Sequence, residues 1–410
     1  MSIVVQKYGG SSLASAELIT NVAKRVIDNR DAGNEVVVVV SAMGDTTDDL
    51  IALAHQITDQ PSAREMDVLV STGEVVSSAL MAMALRHLGA EAISLSGMQA
   101  GIQTDTVHRK ARIRKVDPER VHRELERGRI VIVAGFQGVT EELDVTTLGR
   151  GASDITGIAL AVVLGAERFE KLSDVDGVYT ADPRIEPRAR RLKDIGYEEM
   201  LELASQGAGV LNPRAVEFGQ IYGMPILVAS SITETTGTLI HAETTMEPTN
   251  KVRAIAHDFD VAKITLRGVP DRPGIAATVF EPLAEQAISI DTIVQNASTE
   301  NLTDLTFTVT KTDLPRAMAI VGPIVAEIGA RDLVSDDQLG KVSIVGTGMQ
   351  NTPGYASRMF RALFDNQINI QLITTSEIRI TCIIGAERVV DAVRALHAAF
   401  ELETEEAGVV

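Results

Sequence analysis

The sequence predicts an α/β protein: a three-layer αβα fold with a mainly parallel sheet, followed by two ferredoxin-like βαββαβ domains. Three observations carry that prediction. Residues 1–241 alternate apolar strands with helices, and residues 36–40 are five consecutive valines, the unalternating run of a strand buried on both faces. Residues 242–252 lack periodicity and read as a linker. Beyond them lies an ungapped repeat: Pro273-Gly274, Ala276, Phe280, Leu283, Ile288, Ile290 and Ile293 recur 80 positions later as Pro353-Gly354, Ala356, Phe360, Leu363, Ile368, Ile370 and Ile373.

In the first part, residues 3–7 form a strand and residues 15–30 a helix that ends near Gly33. The valine strand covers 35–41, and an apolar helical stretch runs over 66–85. Asp117-Pro118 opens a helix, with Asp as N-cap and Pro in the first turn, and Gly128 stops it. Residues 130–134 form another buried strand, 153–164 a helix, 167–172 a strand, and 200–211 and 213–222 helices. Each repeat places a strand before its Pro-Gly turn, an amphipathic helix after it and an Ile-x-Ile strand next. Further strands fall at 303–310 and 377–384, and helices at 314–328 and 388–400, which gives domains over 253–335 and 336–410.

The chain of 410 residues carries a net charge of −18, which argues against nucleic acid or an anionic membrane as partner. Cys382 is the only cysteine, so no intrachain disulfide forms. No tryptophan and 3% aromatics leave no platform for stacking bases. The opening residues read as a strand without a basic n-region, and no apolar run reaches the ~18 residues of a membrane span. A cytoplasmic setting is expected.

The chemistry collects at strand ends. Val4-Val5-Gln6-Lys7-Tyr8-Gly9-Gly10-Ser11-Ser12 runs from a strand into a glycine pair with a lysine at the hinge. Exposed N–H groups, a helix N-terminus and the lysine charge all favour an anion. The glycine spacing is not that of a P-loop. Ser41-Ala42-Met43-Gly44-Asp45-Thr46-Thr47 follows the valine strand, where open α/β sheets bind ligands. Ser71-Thr72-Gly73-Glu74 sets a carboxylate beside a mid-helix glycine, and a buried carboxylate there needs a cation such as a substrate ammonium. Thr147-Leu148-Gly149-Arg150-Gly151-Ala152-Ser153-Asp154 is a second glycine-rich turn, whose arginine fork suits a carboxylate. Ser173-Asp174-Val175-Asp176-Gly177-Val178-Tyr179-Thr180-Ala181-Asp182-Pro183-Arg184 joins turn residues to a tyrosine and an arginine suited to a nucleotide.

Together, and in this order, these segments resemble the signature segments of aspartate kinase in the amino-acid kinase family. The tandem Pro-Gly repeats resemble its paired regulatory ACT domains. The resemblance implies transfer of the ATP γ-phosphoryl, with Mg²⁺, to the β-carboxylate of L-aspartate. It implies that Lys7, Gly9, Gly10 and Ser11 cradle the transferred phosphoryl and that Asp154 orients Lys7. Ser41, Thr47, Gly151 and Ser153 would contact substrate or phosphate, Glu74 the aspartate ammonium and Arg150 its α-carboxylate. Ser173, Asp174, Tyr179 and Arg184 would hold the nucleotide. No residue is assigned as a metal ligand.

Some positions depart from the family pattern. Ala152 stands where Gly is usual, and Ala229 where Arg is common. The segment that usually reads Gly-x-Lys-Val-Leu-His-Pro-Arg has Gly209 in place of its nucleotide-facing lysine and Asn212 in place of its histidine. These departures keep two alternatives open: an amino-acid sensor with weakened catalysis, and a kinase for a related acidic amino acid. In the regulatory half the resemblance implies an effector site at Asp271, Gly274, Ile275, Ala276, Gln295 and Ser298. The uncharged Asn351 mirrors Asp271 in the second repeat, alongside Ser376 and Glu377. Lysine, threonine or both are the implied effectors. The resemblance also implies a homo-oligomer through the ACT domains, with a shorter regulatory chain started near Met246.

Overall fold

The five valines lie in a parallel sheet that organises the first of two units. The computed structural model describes residues 2–149, 151–242, 250–296 and 301–404. Unit 1 comprises Met1–Val178, Arg191–Ser205 and Gly209–Glu247; unit 2 comprises Tyr179–Arg190, Gln206–Ala208 and Pro248–Val410.

Unit 1 runs β1 (Ile3–Tyr8), α1 (Ala16–Asp31), β2 (Glu35–Val40), α2 (Thr46–Ile57), α3 (Ala63–His87), β3 (Ala92–Leu95), β4 (Ile102–Thr104), β5 (Ile113–Val116), α4 (Glu119–Glu126), β6 (Ile130–Ala134), β7 (Gln137–Val139), β8 (Val145–Thr147), α5 (Ser153–Val163), β9 (Arg168–Ser173), β10 (Asp194–Gly196), α6 (Tyr197–Ser205), α7 (Pro213–Tyr222), β11 (Ile226–Ser230) and β12 (Thr238–His241). The main sheet has the order β10-β12-β11-β9-β1-β2-β6-β3, and only β11–β12 is antiparallel. Val36, Val38 and Val40 pack with α1 and α3, while α5 packs on β1, β2 and β9. Alternate valines thus serve opposite faces, which is why the strand tolerates no polar residue.

Helix starts follow their caps: Ser15 Oγ accepts from Leu18 N, and Asn212 Oδ1 accepts from Arg214 N ahead of Pro213. The helix expected over 200–211 stops at Ser205, because Gly207 turns to φ +101°. A second sheet, β5-β4-β7-β8, was not foreseen, since its strands of three or four residues are too short to show a period. Helix α3 is long and apolar enough by length and composition to cross a membrane, against the expectation of no such stretch. One face of it is buried, with Met66, Val70, Met81 and Leu85 and also Asp67 and Glu74, while Val75, Val76 and Met83 are exposed.

Unit 2 contains β13 (Ala254–Pro270), α8 (Ile275–Glu285), β14 (Ile293–Gln295), β15 (Leu302–Val309), α9 (Leu314–Ile328), β16 (Asp332–Val345), α10 (Tyr355–Asp365), β17 (Ile370–Thr375), β18 (Arg379–Gly385) and α11 (Val389–Ala399). The sequence repeat is also a backbone repeat. Helices α8 and α10 are offset by 80 residues, and left-handed Gly274 and Gly354 open them at φ 98° and 111°. Ala287 and Gln367, also 80 apart, both turn at φ 55°.

The two copies share one sheet, ordered β14-β15-β13-β16-β18-β17. The second copy departs from a linear βαββαβ order. Its outer pairing comes from the start of β13, where Ala254–Asp258 runs against residues 341–345 of β16. Ile255 accordingly joins the core built by α10, α11 and β18, whereas Ile264 and Leu266 join that of α8, α9 and β15. Each long central strand therefore serves both cores.

Candidate active site

The site forms where parallel strands end. Lys7 is the penultimate residue of β1, paired in register with Val39 of β2 and Lys171 of β9. Past β1 the chain is fixed by backbone bonds: Gly9 N donates to Leu172 O at 3.1 Å, Ser41 N to Tyr8 O at 3.2 Å and Gly44 N to Gly10 O at 3.1 Å. Gly10 is required sterically, because a Cβ there would lie 2.7 Å from Ala42 O. Gly9 is not, since its nearest neighbour would be Ser173 Cβ at 3.7 Å. A Cβ on Gly9 would make only ordinary contacts, with Ser173 Cβ at 3.7 Å and Ser11 Oγ at 3.9 Å.

Three buried charges meet beside this turn. Asp154, in the first turn of α5, places Oδ1 2.7 Å from Lys7 Nζ and Oδ2 3.1 Å from Lys171 Nζ. Oδ1 carries no aligned hydrogen bond, so the Lys7 contact is an ion pair. Oδ2 also accepts from Asn212 N at 3.3 Å, and Lys171 Nζ also donates to Val210 O. Burial pushes the Asp154 carboxyl up, but Lys171 and Lys7 together overcome it and hold the group down at about 2. Burial lowers the Lys171 ammonium, against the pull of Asp154.

Glu74 stands across from this trio on α3. A Cβ on Gly73 would lie 2.8 Å from Ala42 Cβ, so the mid-helix glycine lets α3 approach the loop after β2. That approach lets Ala42 N donate to Glu74 Oε1 at 3.2 Å. Glu74 Oε2 is buried and has no hydrogen-bond partner. Burial raises the Glu74 carboxyl to about 7, with Ala42 N and Lys7 opposing the shift. An orphaned buried carboxylate oxygen fits an ammonium group from a ligand.

The glycine-rich turn before α5 is held from behind. Buried Asp67 on α3 accepts from Thr147 Oγ1 at 2.6 Å and from Arg109 N at 3.0 Å, and meets His108 Nδ1 at 2.8 Å. Arg214 donates to Leu148 O at 2.8 Å and Ala111 O at 3.2 Å. Gly149 and Gly151 need their left-handed backbone, at φ +98° and +71°. Arg150 between them lies outside the described residues, as do Ser298 and Met246. Ala152 sits at φ −81°, where a side chain carries no strain, so its departure from glycine has no backbone cost. Asn212 caps α7. Gly209 has an ordinary φ, and a Cβ there meets nothing within 4 Å. Ala229 is buried in the core of the main sheet.

The structure therefore gathers Lys7, Gly9, Gly10, Ser41, Glu74, Ser153, Asp154 and Ser173 at the strand ends. Ser11 is exposed on the turn, Thr47 is half-buried at the start of α2, and Asp174 is exposed just past β9. Tyr179 and Arg184 belong to unit 2, where Arg184 grips Asp182 at 2.7 Å and 3.0 Å. In the repeats, Ile275 is buried, while Asp271, Gly274, Ala276, Gln295, Asn351, Ser376 and Glu377 are exposed. Sequence reasoning missed Lys171 and Asp67. The available signal was a charge at a position whose neighbours are core, which is rare without a buried partner.

Among the described residues no group of three or more acidic, histidine or cysteine side chains could hold a metal.

Residues 2–230 match the amino acid kinase family, and residues 264–322 and 342–400 each match an ACT domain. An aspartate kinase of Stutzerimonas stutzeri is 50% identical over 405 residues, covering 98% of both chains. The aspartokinase of Corynebacterium glutamicum is 49% identical over 415 residues, covering 100% of this chain and 99% of its own. The crystal structure of Escherichia coli aspartokinase III with aspartate and ADP superposes with a TM-score of 0.80 at 26% identity, covering 97% of this chain and 99% of that one. The chain belongs to the amino acid kinase family and, within it, to the aspartate kinases with tandem ACT domains.

Proposed function

We propose that this enzyme transfers the γ-phosphoryl group of ATP to the β-carboxylate of L-aspartate. The product is 4-phospho-L-aspartate, at the head of lysine, threonine and methionine biosynthesis. The observation that carries this reading is the charge layout at the strand ends: an orphaned carboxylate at Glu74 and a positive pair on Asp154, Lys7 and Lys171. The first fits an amino-acid ammonium and the second a phosphoryl group. The E. coli aspartokinase III structure is a complex with aspartate and ADP, which supports the same pairing.

The acceptor carboxylate is already ionised at neutral pH, so no general base is needed. The barrier is the approach of two anions, and catalysis is positioning plus charge neutralisation. Lys7, pointed by Asp154, would neutralise the transferring phosphoryl, with Gly9, Gly10 and Ser11 around it. Glu74 would hold the ammonium and Arg150 the α-carboxylate, with Ser41, Thr47, Gly151 and Ser153 beside them. Ser173, Asp174, Tyr179 and Arg184 would serve the nucleotide. Magnesium, when bound on the phosphates, supplies further charge neutralisation.

The ACT domains would carry feedback by lysine, threonine or both at the exposed Pro-Gly turns, with Asp271 meeting the effector ammonium. A second E. coli aspartokinase III structure is a complex with lysine and aspartate, which supports lysine as an effector. The proposal includes a cytoplasmic homo-oligomer, with a shorter regulatory chain from Met246. Production of aspartyl hydroxamate from ATP, Mg²⁺, L-aspartate and hydroxylamine tests the activity. Product from another acid but not from aspartate would reassign the substrate, and none from any acid would make the chain a sensor.

A further inference from the structure

The family resemblance assigns one lysine, Lys7, to the end of β1. The structure holds two. Lys7 and Lys171 are register partners on adjacent parallel strands, both buried, and each ammonium takes one oxygen of the same carboxylate. Lys7 alone already neutralises Asp154. The second ammonium leaves the trio with one positive charge in excess, and an unmatched buried charge is costly unless a ligand completes it. Lys171 is also aimed: Asp154 Oδ2 and Val210 O take two of its three donors, and the third has no partner among the described residues. It stands two residues before Ser173 and three before Asp174, at the strand end to which the Gly9 turn is bonded through Leu172 O.

We infer that Lys171 is a second phosphate-binding cation, which works with Lys7 across the shared Asp154 to hold the phosphates of ATP during transfer. This rests on the phosphoryl-transfer reading above. It also accounts for Gly209. The nucleotide-facing lysine expected at that position is absent, and the ammonium of Lys171 reaches the adjacent residue, Val210, from β9 instead. The charge would then reach the same turn, with its point of attachment on β9 instead of on the turn between α6 and α7. A buried lysine serving only as a counter-ion for Asp154 would be redundant with Lys7.

Steady-state kinetics of the full chain with Mg–ATP and aspartate test the inference. Lys171→Met should raise KM for ATP or lower kcat by on the order of 10- to 100-fold, the usual worth of a hydrogen bond to a charged group. KM for aspartate should not follow. Adding Gly209→Lys to Lys171→Met should recover most of the loss, because position 209 has room for a side chain at an unstrained φ. A merely structural lysine would not be rescued from the turn between α6 and α7. If Lys171→Met does not fold, Lys171→Arg and the double variant carry the test, and both should retain ATP turnover. An active wild type with an indifferent Lys171→Met, or a double variant without recovery, overturns this inference alone. A wild type that turns over no ATP overturns the phosphoryl-transfer reading and this inference with it.

Discussion

Lys7 Nζ lies 2.7 Å from Asp154 Oδ1, and both side chains are nearly removed from solvent, at 8% and 3% exposure. The pair joins the end of β1 to the start of α5, so one contact fixes both the Lys7 ammonium and the helix behind it. Removing one member of such a pair leaves a buried charge unmatched, at a cost of about 3–5 kcal/mol. Asp154→Asn should therefore lower stability by about that much in denaturant unfolding and abolish activity. The sign with pH follows from the folded value of about 2, below the ordinary 3.8. The stability Asp154 contributes is present above its unfolded value and is lost as pH falls from about 4 through about 2. An Asp154→Asn chain whose acid unfolding profile matches the wild type contradicts this account.

Glu74 predicts the opposite pH behaviour. Its folded value of about 7 lies above the ordinary 4.5, so the folded state holds the proton longer than the unfolded chain. Its effect on stability falls as pH rises from about 4.5 to about 7 and is constant above. A substrate ammonium pairs only with the ionised form. The affinity for aspartate should therefore improve as pH rises through about 7, and Glu74→Gln should flatten that profile while raising KM for aspartate. KM for aspartate measured across the range that brackets this value is the check, and a profile unchanged in Glu74→Gln sinks the assignment.

Two neighbouring-motif glycines should respond differently to alanine. At Gly73 the added Cβ would meet Ala42 Cβ at 2.8 Å, so Gly73→Ala should cost about 1–3 kcal/mol by overpacking and shift Glu74 with it. At Gly9 the nearest atom would be 3.7 Å away and φ is −73°, so Gly9→Ala should fold normally. It should still lose activity, because its methyl group adds bulk to the turn where the proposal places the transferring phosphoryl. Thermal unfolding beside turnover separates the two, and a fully active Gly9→Ala removes that turn from the phosphoryl site.

These contrasts show how far the residues themselves can be read. The five valines announced a doubly covered strand, and the 80-residue repeat announced matching helices, because burial and turn chemistry write directly into local pattern. Lys7 and Asp154 stood out in glycine-rich turns at a strand end and a helix start, and Glu74 beside a glycine inside an apolar helix. Lys171 did not, since it is one of three charges in the strand Arg168–Ser173 and reveals nothing until β9 lies beside β1. Asp67 was hidden for the same reason: its partners, Thr147, Arg109 and His108, are 41 to 80 residues away. The shared sheet of unit 2 also escaped, because the pairing of Ala254–Asp258 with residues 341–345 leaves no mark in the linear order of elements.

In the regulatory unit, Asp271 is exposed just before the left-handed Gly274 that opens α8. Asp271→Ala should leave turnover near the wild-type level and relieve inhibition by lysine or threonine. Inhibition curves recorded with each amino acid, alone and together, are the check. Curves identical to wild type would remove Asp271 from the effector site.

The central claim is that Lys7, held by Asp154, drives phosphoryl transfer from ATP to aspartate. Its most direct measurement is aspartyl hydroxamate formed by wild type and by Lys7→Ala under the same ATP, Mg²⁺ and aspartate. Steady product from wild type and essentially none from a folded Lys7→Ala is the expected result. Equal product from both, or none from wild type, would contradict it.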